Sequence, residues 1–380
     1  MDIVWFAEIK WDYLKTRKQQ IIGRKPSDVR LLYLEPYVRG RVNRYTLRRE
    51  GDIFCATVPF IKSVPAGILR RLISRPLVRR TVDWNAGVRV GRLLDQAGFD
   101  RKQLGKVISN IYAIKVASRL PGRFLLYDCN DAHTAFPGMP DWSEAYHQQT
   151  CRAADGVFVS ARDLGRGVAK IRGDNSQVEL LGNGVDYDRF QIEAGPKPRS
   201  RKVPRFIYIG ALAPWVDFDS MRLLAERHPD WELDLVGPVL QGAQPDLERL
   251  ESQPNVTRFE PVAYEQVPKV LAGADIALIP FRYNDLTRGV NPNKMYEYLA
   301  AGLPVVTTDF SEEIRVFPEL VRNGDPGDGF VSACETVATE WAADTGNRMA
   351  AQARQIAARH DWNSIADTFW ARVKKMMTAG

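Results

Sequence analysis

The sequence predicts an α/β protein built from two domains, each with a mainly parallel β-sheet covered by helices. Three observations support this prediction. The chain has 380 residues, which favours two domains of about 180 residues each over a single domain. Short apolar runs alternate with segments of helical periodicity. The alternation is interrupted at 193–204, a segment rich in Pro, Gly and charge, and then starts again.

Predicted strands alternate with predicted helices in both halves. Strands are short buried runs bounded by turn residues, and helices have apolar residues three or four positions apart. The predicted strands lie at 2–7, 29–36, 52–59, 105–113, 122–131, 155–161, within 177–190, and at 205–212, 231–238, 256–259, 275–281 and 303–308. The predicted helices lie at 82–97, 144–154, 164–171, 218–227, 247–252, 264–272, 327–343, 347–358 and 362–377, with one more leading out of 11–24.

The composition is that of a globular protein with an anionic partner. Apolar residues make up 45% and charged residues 26% of the chain, and the formal net charge is +7. Nucleic acid, phospholipid head groups and sugar nucleotides are all anionic partners that fit this positive charge. Four widely spaced cysteines without a CxxC pair predict buried thiols and neither a zinc site nor a disulfide framework. Because the N-terminus lacks a signal-peptide pattern and no apolar run reaches roughly 18 residues, we expect a cytoplasmic protein.

The segment 291–308 carries the most informative pattern. It predicts a turn with N-cap residues, a short helix that ends at Gly302, and a buried strand. Lys294 lies in the first turn of this helix, where unpaired N–H groups already favour an anion. Glu297 follows three residues later, so a lysine could hold a phosphate while a carboxylate accepts hydrogen bonds from ribose hydroxyls. The same two residues also fit an ordinary helix with an exposed Lys and Glu.

The full string around this segment resembles the nucleotide-sugar motif of GT-B glycosyltransferases, of the large family 4 type and its relatives. Four strings agree with that family in order: NGVDYDRF at 183–190, FIYIGAL at 206–212, VAYEQVPKVLAGADIALIPF at 262–281 and PNKMYEYLAAGLPVV at 292–306. The resemblance implies two Rossmann-like domains that face a cleft, 1–182 for the acceptor and 183–361 for the nucleotide sugar. It also implies that the C-terminal helix, 362–380, packs back on the first domain.

The resemblance further implies which residues bind the donor. In the family the lysine matching Lys294 meets the diphosphate, and the glutamate matching Glu297 meets the ribose. Tyr296 is a candidate to flank the base or the ribose of the donor. The alternative is a core residue, because an aromatic side chain within a helix is more often buried. The complete predicted donor-binding set is Lys294, Glu297, Asn293, Tyr296, Gly210 and Arg288.

Two departures from the family pattern leave the stereochemical outcome open. Family 4 enzymes that retain configuration usually carry a glutamate eight residues before the one matching Glu297, where this chain has Gly289. They also tend to place an arginine and a lysine after the strand that opens the second domain, whereas the segment 211–217 carries no cation. Lys294, the helix N-terminus and Arg288 are therefore expected to hold most of the diphosphate.

A closer resemblance is to the inverting group that includes the glucuronosyltransferase of xanthan assembly. Its catalytic aspartate lies in a Tyr-x-x-x-Asp string, which matches Tyr127 to Asp131 here. Asp131 would then be the general base that deprotonates the acceptor hydroxyl. A helix cap or turn residue is the alternative for Asp131, and His133 is the competing catalytic candidate. Asp128 is expected to support the loop.

Arginines concentrate in the first half, around the segment 61–80. Four apolar residues, Ile68, Leu69, Leu72 and Ile73, would share one helical face with arginines around them. We predict that Arg70, Arg71, Arg75 and Leu72 contact an anionic membrane surface or the acceptor. The alternative is a surface helix that packs on its own domain.

The leading hypothesis is a glycosyltransferase, peripherally attached to the inner membrane, that needs no metal or other cofactor. Its donor would be a UDP- or GDP-linked sugar, and its acceptor a lipid-linked sugar or polysaccharide precursor. Alternatives with the same fold are a retaining family 4 type transferase and a sugar-nucleotide epimerase. A nucleic-acid-binding protein is a third alternative and predicts salt-sensitive binding to DNA or RNA.

Overall fold

The structure, a computed structural model, describes residues 1–13, 15–60, 68–136, 138–191, 203–344 and 347–379. The chain divides into two compact units. Unit 1 comprises Met1–Gly182 and Ala366–Gly380, and unit 2 comprises Asn183–Ile365. The sequence interpretation places the same boundary between residues 182 and 183. The predicted boundary segment 193–204 lies mostly outside the described residues.

Unit 1 is an α/β unit in which strands and helices alternate. Its described elements are β1 (Asp2–Phe6), α1 (Arg17–Ile22), β2 (Arg30–Pro36), β3 (Arg48–Glu50), β4 (Ile53–Val58), α2 (Ile68–Ile73), α3 (Pro76–Gln96), β5 (Leu104–Ile108), α4 (Ile114–Ala117), β6 (Phe124–Cys129), α5 (Ser143–Ala153), β7 (Gly156–Val159), α6 (Arg162–Arg172) and β8 (Val178–Leu180).

These strands form one sheet in the order β3-β4-β2-β1-β5-β6-β7-β8. Every pairing in it is parallel except that of β3 with β4. Sequence patterning does not predict β3, because three charged residues (Arg48–Glu50) lack an apolar run. Strand β1 lies at the centre and is buried along its whole length, as expected for a strand covered on both faces.

Unit 2 repeats the architecture with a smaller sheet. Its described elements are α7 (Tyr187–Phe190), β9 (Arg205–Ile209), α8 (Phe218–Arg227), β10 (Glu232–Val236), α9 (Gln244–Glu251), β11 (Val256–Phe259), α10 (Val267–Leu271), β12 (Ile276–Ile279), α11 (Asn293–Ala300), β13 (Val305–Thr308), β14 (Val321–Gly324), α12 (Asp328–Ala343), α13 (Arg348–Ala358) and the start of α14 (Trp362–Ala379). The strand order is β11-β10-β9-β12-β13-β14, and all pairings are parallel.

Helix α14 leaves unit 2 and continues in unit 1 from Ala366 onward. Phe369 stacks on Trp5 of β1, with ring centroids 5.3 Å apart. Trp370 donates its indole N–H to the carbonyl of Ile21, at 3.0 Å. A buried Trp usually needs such a partner for its N–H, so this bond fixes the helix on unit 1. The C-terminal helix thus packs on the first domain, as the sequence predicts.

The predicted basic helix at 61–80 is wrong in one respect. The structure has two helices there, α2 and α3, and residues 61–67 lie outside the described residues. Pro76 begins the second helix, and Arg75 before it is extended, with φ −71° and ψ 128°. Proline has no N–H to continue a helix and disfavours a helical conformation in the residue before it, which explains the break.

The four cysteines, Cys55, Cys129, Cys151 and Cys334, are buried and not disulfide-bonded, as predicted. Among the described residues, no helix is long and apolar enough to cross a bilayer.

Candidate functional site

Helix α11 of unit 2 is held in place at both ends. Tyr298 accepts a hydrogen bond from the backbone N–H of Ile209 at 2.9 Å, which fixes the helix against β9. Asn183 donates its side-chain amide to the carbonyl of Asn291 at 2.7 Å, which fixes the chain just before the helix. Gly302 follows the last turn with φ +81°, the left-handed conformation expected after a helix end. The N-terminal turn of α11 is therefore rigidly positioned.

The N-cap position of α11 is Pro292, which has an extended conformation. The helix itself begins at Asn293, so the predicted cap is displaced by one residue. Proline has no side-chain oxygen to accept from the first N–H groups. A helix N-terminus without a side-chain cap keeps its partial positive charge available for an anion.

The ammonium of Lys294 packs against the end of β9. A Cβ atom built on Gly210 would lie 2.5 Å from Lys294 Nζ, closer than any real contact, and Gly210 has φ +149°. The backbone at φ +149° favours glycine, and without a Cβ here the flexible Lys294 ammonium can lie against the end of β9 without shifting. Lys294 Nζ also lies 5.1 Å from the ring centroid of Tyr208 and 5.2 Å from that of Phe281. Two aromatic faces and a glycine thus determine where this cation sits.

Lys294 and Glu297 are poorly solvated charges that influence each other. Burial lowers the pKa of Lys294 from its ordinary 10.5 to about 8, although Glu297 acts in the opposite direction. Burial raises the pKa of Glu297 from 4.5 to about 7, although Lys294 and a hydrogen bond from Tyr264 oppose it. Perturbed charges that lie together at the carboxyl edge of a parallel sheet are typical of a ligand site.

The other predicted donor-binding residues occupy different surroundings. Arg288 is exposed and pairs with Asp285, at 3.3 Å. Tyr296 is 3% exposed and packs with its ring 5.0 Å from that of His360. It therefore has the surroundings of a core residue, the alternative noted for it. The side-chain oxygen of Asn293 is buried and has no hydrogen-bond partner among the described residues.

The uncharged segment after β9 forms a fixed loop. Tyr208 donates its hydroxyl to the carbonyl of Ala211 at 2.7 Å, and Leu212 pairs with Val239 in an isolated bridge. Asp217 closes the segment by capping α8, where it accepts from the N–H of Ser220 at 3.2 Å. This segment brings no cation to the site, so Lys294 is the charge that the geometry offers at the end of β9.

In unit 1 the polar residues after β6 also lie at the carboxyl edge of the sheet. Asp131 accepts a hydrogen bond from the side-chain amide of Asn130 at 2.8 Å. The ring of His133 lies 6.4 Å from that of Tyr127. Asp128 is 1% exposed and forms an ion pair with Arg17 at 3.0 Å. That pair joins the end of β6 to α1, and the predicted support of the loop by Asp128 stays a prediction.

The predicted membrane-contact residues lie on α2 and just after it. Arg70 is half-buried and donates to the carbonyl of Met139 at 2.9 Å. Arg71 and Arg75 are exposed, and Leu72 is 43% exposed. The last residue on the predicted apolar face, Ile73, is half-buried. Of the predicted apolar face, Leu72 is therefore accessible to a partner and Ile73 partly so.

Sequence reasoning missed the residues that position the charged pair. Tyr208, Phe281 and Tyr264 contact Lys294 or Glu297. Each comes from another part of unit 2, so no local spacing indicates the contact. The one signal available was the position of Tyr208 and Phe281 at the carboxyl ends of predicted strands. Within the described ranges, no three His, Cys, Asp or Glu side chains are grouped as a metal site requires.

Comparison with known proteins places this geometry in a family context. Residues 203–348 match the family described as "Glycosyl transferases group 1". This segment includes Gly210, Arg288, Lys294 and Glu297. TuaH of Bacillus subtilis (strain 168), named as a teichuronic acid biosynthesis glycosyltransferase, is 28% identical over 258 residues. The match covers 63% of this chain and 64% of TuaH, so the chain spans less than two thirds of that relative.

Solved structures share the fold over the whole chain. Sucrose-phosphate synthase from Thermosynechococcus elongatus has a TM-score of 0.74 at 12% identity and is covered completely, as is this chain. Anabaena HepE in complex with UDP has a TM-score of 0.66 at 16% identity, with 99% of this chain and 100% of HepE covered. The predicted GT-B fold is confirmed, and the resemblance of the second half to glycosyltransferases is confirmed with it.

The pKa shifts of Glu297 and Lys294 predict how stability depends on pH. Between pH 4.5 and about 7 the carboxyl of Glu297 is protonated to a greater extent in the folded protein than in the unfolded protein. The free energy of unfolding should therefore fall as pH rises through this range. Between about 8 and 10.5 the folded Lys294 binds less proton, so the free energy of unfolding should rise. Glu297→Gln should remove the fall. Urea unfolding from pH 4.5 to 7.5 measures this, with exposed Glu319→Gln as the matched control. The same fall in the Glu297→Gln variant would contradict the assignment.

Proposed function

We propose that the protein transfers a sugar from a nucleotide-sugar donor to a lipid-linked sugar or polysaccharide precursor, because residues 203–348 match the family described as "Glycosyl transferases group 1" and the chain has a GT-B fold. The observation that carries the proposal is the Lys294 ammonium, which Gly210 admits beside the N-terminus of α11. Two similar proteins support it: TuaH is named for teichuronic acid biosynthesis, and HepE binds UDP.

Unit 2 holds the donor in this proposal. The diphosphate of a UDP- or GDP-linked sugar meets Lys294 and the N-terminal N–H groups of α11, and the ribose hydroxyls donate to Glu297. An anion next to Lys294 raises the pKa of its ammonium again, and hydroxyl donors lower the pKa of Glu297, so the ligand relieves both strained charges. The charge of the leaving diphosphate is balanced by protein groups, so the mechanism requires no metal ion.

Unit 1 binds the acceptor and provides the base in this proposal. The acceptor oxygen forms a bond to the anomeric carbon of the sugar as the bond from that carbon to the diphosphate oxygen breaks. The proton of the acceptor hydroxyl passes to Asp131, and the electron pair of the broken bond leaves with the diphosphate. This single displacement inverts the anomeric configuration. His133 is the competing base, and a retaining mechanism would need neither side chain.

The membrane-facing part of the proposal rests on α2 and α3 of unit 1. Arg71 and Arg75 are exposed. On α3, Leu77, Trp84 and Val88 are 78%, 63% and 38% exposed. Their spacing of seven and four residues puts them on one face of the helix. Apolar side chains beside arginines suit the interface of an anionic bilayer, which would hold the protein on the cytoplasmic face of the inner membrane.

The donor assignment predicts that Lys294→Ala weakens UDP binding. Removing a charged hydrogen-bond donor should raise the Kd about 10- to 100-fold, and the wild-type affinity should decline above pH 8 as Lys294 loses its proton. Isothermal calorimetry between pH 7 and 9.5 measures both effects. Lys269→Ala, on the exposed side of α10, is the matched control. The proposal fails if neither UDP nor GDP binds the wild-type protein, or if Lys294→Ala binds UDP as tightly.

The base assignment predicts that Asp131→Asn loses transfer and keeps donor binding. The rate of UDP release from UDP-sugars, with polyprenyl-phosphate-linked sugars as acceptors, should fall about 10²- to 10⁴-fold. The Kd for UDP should change by less than about twofold, because unit 2 is unchanged. Exposed Asp141→Asn is the control. Transfer by Asp131→Asn at the wild-type rate would move the role to His133 or to a mechanism without a base.

The membrane assignment predicts that the double variant Arg71→Ser, Arg75→Ser leaves anionic vesicles. Each cation contributes about 1 kcal/mol near an anionic surface, so the partition coefficient should drop roughly 30-fold. Trp84→Ser should reduce it further. Sedimentation with vesicles that contain 30% phosphatidylglycerol measures the effect. Arg152→Ser, Arg166→Ser is the control pair, since both are exposed on other helices of unit 1. Equal loss in this control pair would leave no specific role for α2.

A further inference from the structure

A cavity of about 380 Å³ lies in unit 1, apart from Asp131 in the sequence and on a different pair of strands. One wall consists of Lys10, Asp12 and Tyr13, which follow the carboxyl end of β1. The other consists of Arg41 and Val42, which follow the carboxyl end of β2. The size is within the range of small-molecule sites, and the carboxyl edge is where open α/β sheets bind ligands.

Lys10 connects this cavity to a buried polar network centred on Glu35, which is 2% exposed. Its carboxylate accepts from Lys10 Nζ at 3.2 Å, from the hydroxyl of Thr57 at 2.9 Å and from Arg48 at 3.0 Å. Burial acts to raise the pKa of Glu35, but the hydrogen bond and charge of Arg48, with smaller effects of the Trp11 N–H and the Lys10 charge, lower it. The network holds the Lys10 ammonium, itself 6% exposed, at the inner wall of the cavity.

The loop that forms the outer wall is fixed by one side chain. Asn43 accepts from the N–H of Val38 at 3.0 Å and donates to the carbonyls of Val38 and Arg41, both at 2.9 Å. Thr57 joins this loop to the buried network, because its hydroxyl accepts from the N–H of Arg44 at 3.0 Å. The loop therefore has a defined backbone, while Val42 at its tip remains 70% exposed. A preformed loop that leaves its side chains unburied is suited to a ligand.

The charge and the aromatic side chains at the mouth of the cavity indicate the chemistry of that ligand. Of the five arginines in the segment 36–49, Arg41 lines the cavity, where Asp12 adds a carboxylate. Tyr13 is 52% exposed, and the guanidinium of Arg41 lies 5.5 Å from its ring centroid. The guanidinium of Arg41 favours an anionic group, and the exposed Tyr13 offers a flat amphipathic surface to a sugar ring.

We propose that this cavity binds an anionic saccharide, the part of the acceptor that carries a phosphate or a carboxylate. The arginine side of the loop, with Arg41 at the cavity, meets the anionic group, and Tyr13 packs on the sugar ring. The inner wall at Lys10 and the opposite carboxylate of Asp12 meet the remaining hydroxyls. This inference rests on the proposed function, because it names the class of acceptor for the same reaction.

The test measures binding of small probes to the full chain by saturation-transfer NMR. Glucose 1-phosphate and glucuronate are the anionic sugars, glucose is the neutral sugar, and inorganic phosphate is the anion without a sugar. At least one anionic sugar should bind about tenfold more tightly than both glucose and phosphate. The tighter of the two identifies phosphate or carboxylate as the acceptor's charge. Arg41→Gln should weaken that binding about tenfold, and Tyr13→Ala about threefold or more.

Two controls separate this inference from the proposed function. Arg152→Gln, at the end of α5 and hence at the opposite edge of the sheet, should leave sugar binding unchanged. UDP binding is measured in every variant and should be unaffected, because the residues proposed to bind UDP lie in unit 2. Three results would contradict the proposed saccharide site. Neither anionic sugar binds, inorganic phosphate binds as tightly as the anionic sugars, or the Arg41→Gln and Tyr13→Ala variants bind the sugar as tightly as the wild type does. Absence of UDP binding would instead refute the proposed function.

Discussion

The position of the Lys294 ammonium is the constraint on which the site of unit 2 depends. Tyr298 and Asn183 fix its helix at both ends, and the missing side chain of Gly210 makes room for the cation at the end of β9. The price is poor solvation, which shifts the pKa of Lys294 downward and that of Glu297 upward. Such a site is unfavourable when empty at neutral pH and becomes favourable when an anion enters.

Unit 1 organises charge in another way. There two buried cations are paired within the protein, Arg17 with Asp128 and Lys10 with Glu35. Exposed arginines lie on the loop before β3 and around α2. A buried ion pair contributes little net stability and is best explained as fixing geometry, here of the loops at the carboxyl edge of the sheet. The exposed arginines then remain for partners outside the chain.

The sequence predicts the fold and part of the site well, for local reasons. Alternating apolar runs are enough to predict the sheets, and Gly302 and Lys294 are recognisable from their helix positions. Sequence patterning does not predict strand β3, because its three charged residues carry no apolar pattern. The predicted basic helix at 61–80 rests on apolar spacing at 68–73, which ends before Pro76 and does not account for the break there. The contacts of Tyr264 and Tyr208 with the charged pair are not predicted for a different reason. These two tyrosines reach α11 through tertiary contacts between distant segments, which no spacing along the chain encodes.

Proton uptake on UDP binding tests the central claim most directly. A diphosphate beside Lys294 must raise the lowered pKa of the Lys294 ammonium. At pH 8.5 the protein should therefore take up a fraction of a proton from the buffer for each UDP that binds. Calorimetry in two buffers of different ionisation enthalpy measures that fraction. The account predicts a substantial uptake in the wild type and in Lys269→Ala, and none in Lys294→Ala. UDP binding without proton uptake in the wild type would mean that Lys294 does not meet the diphosphate.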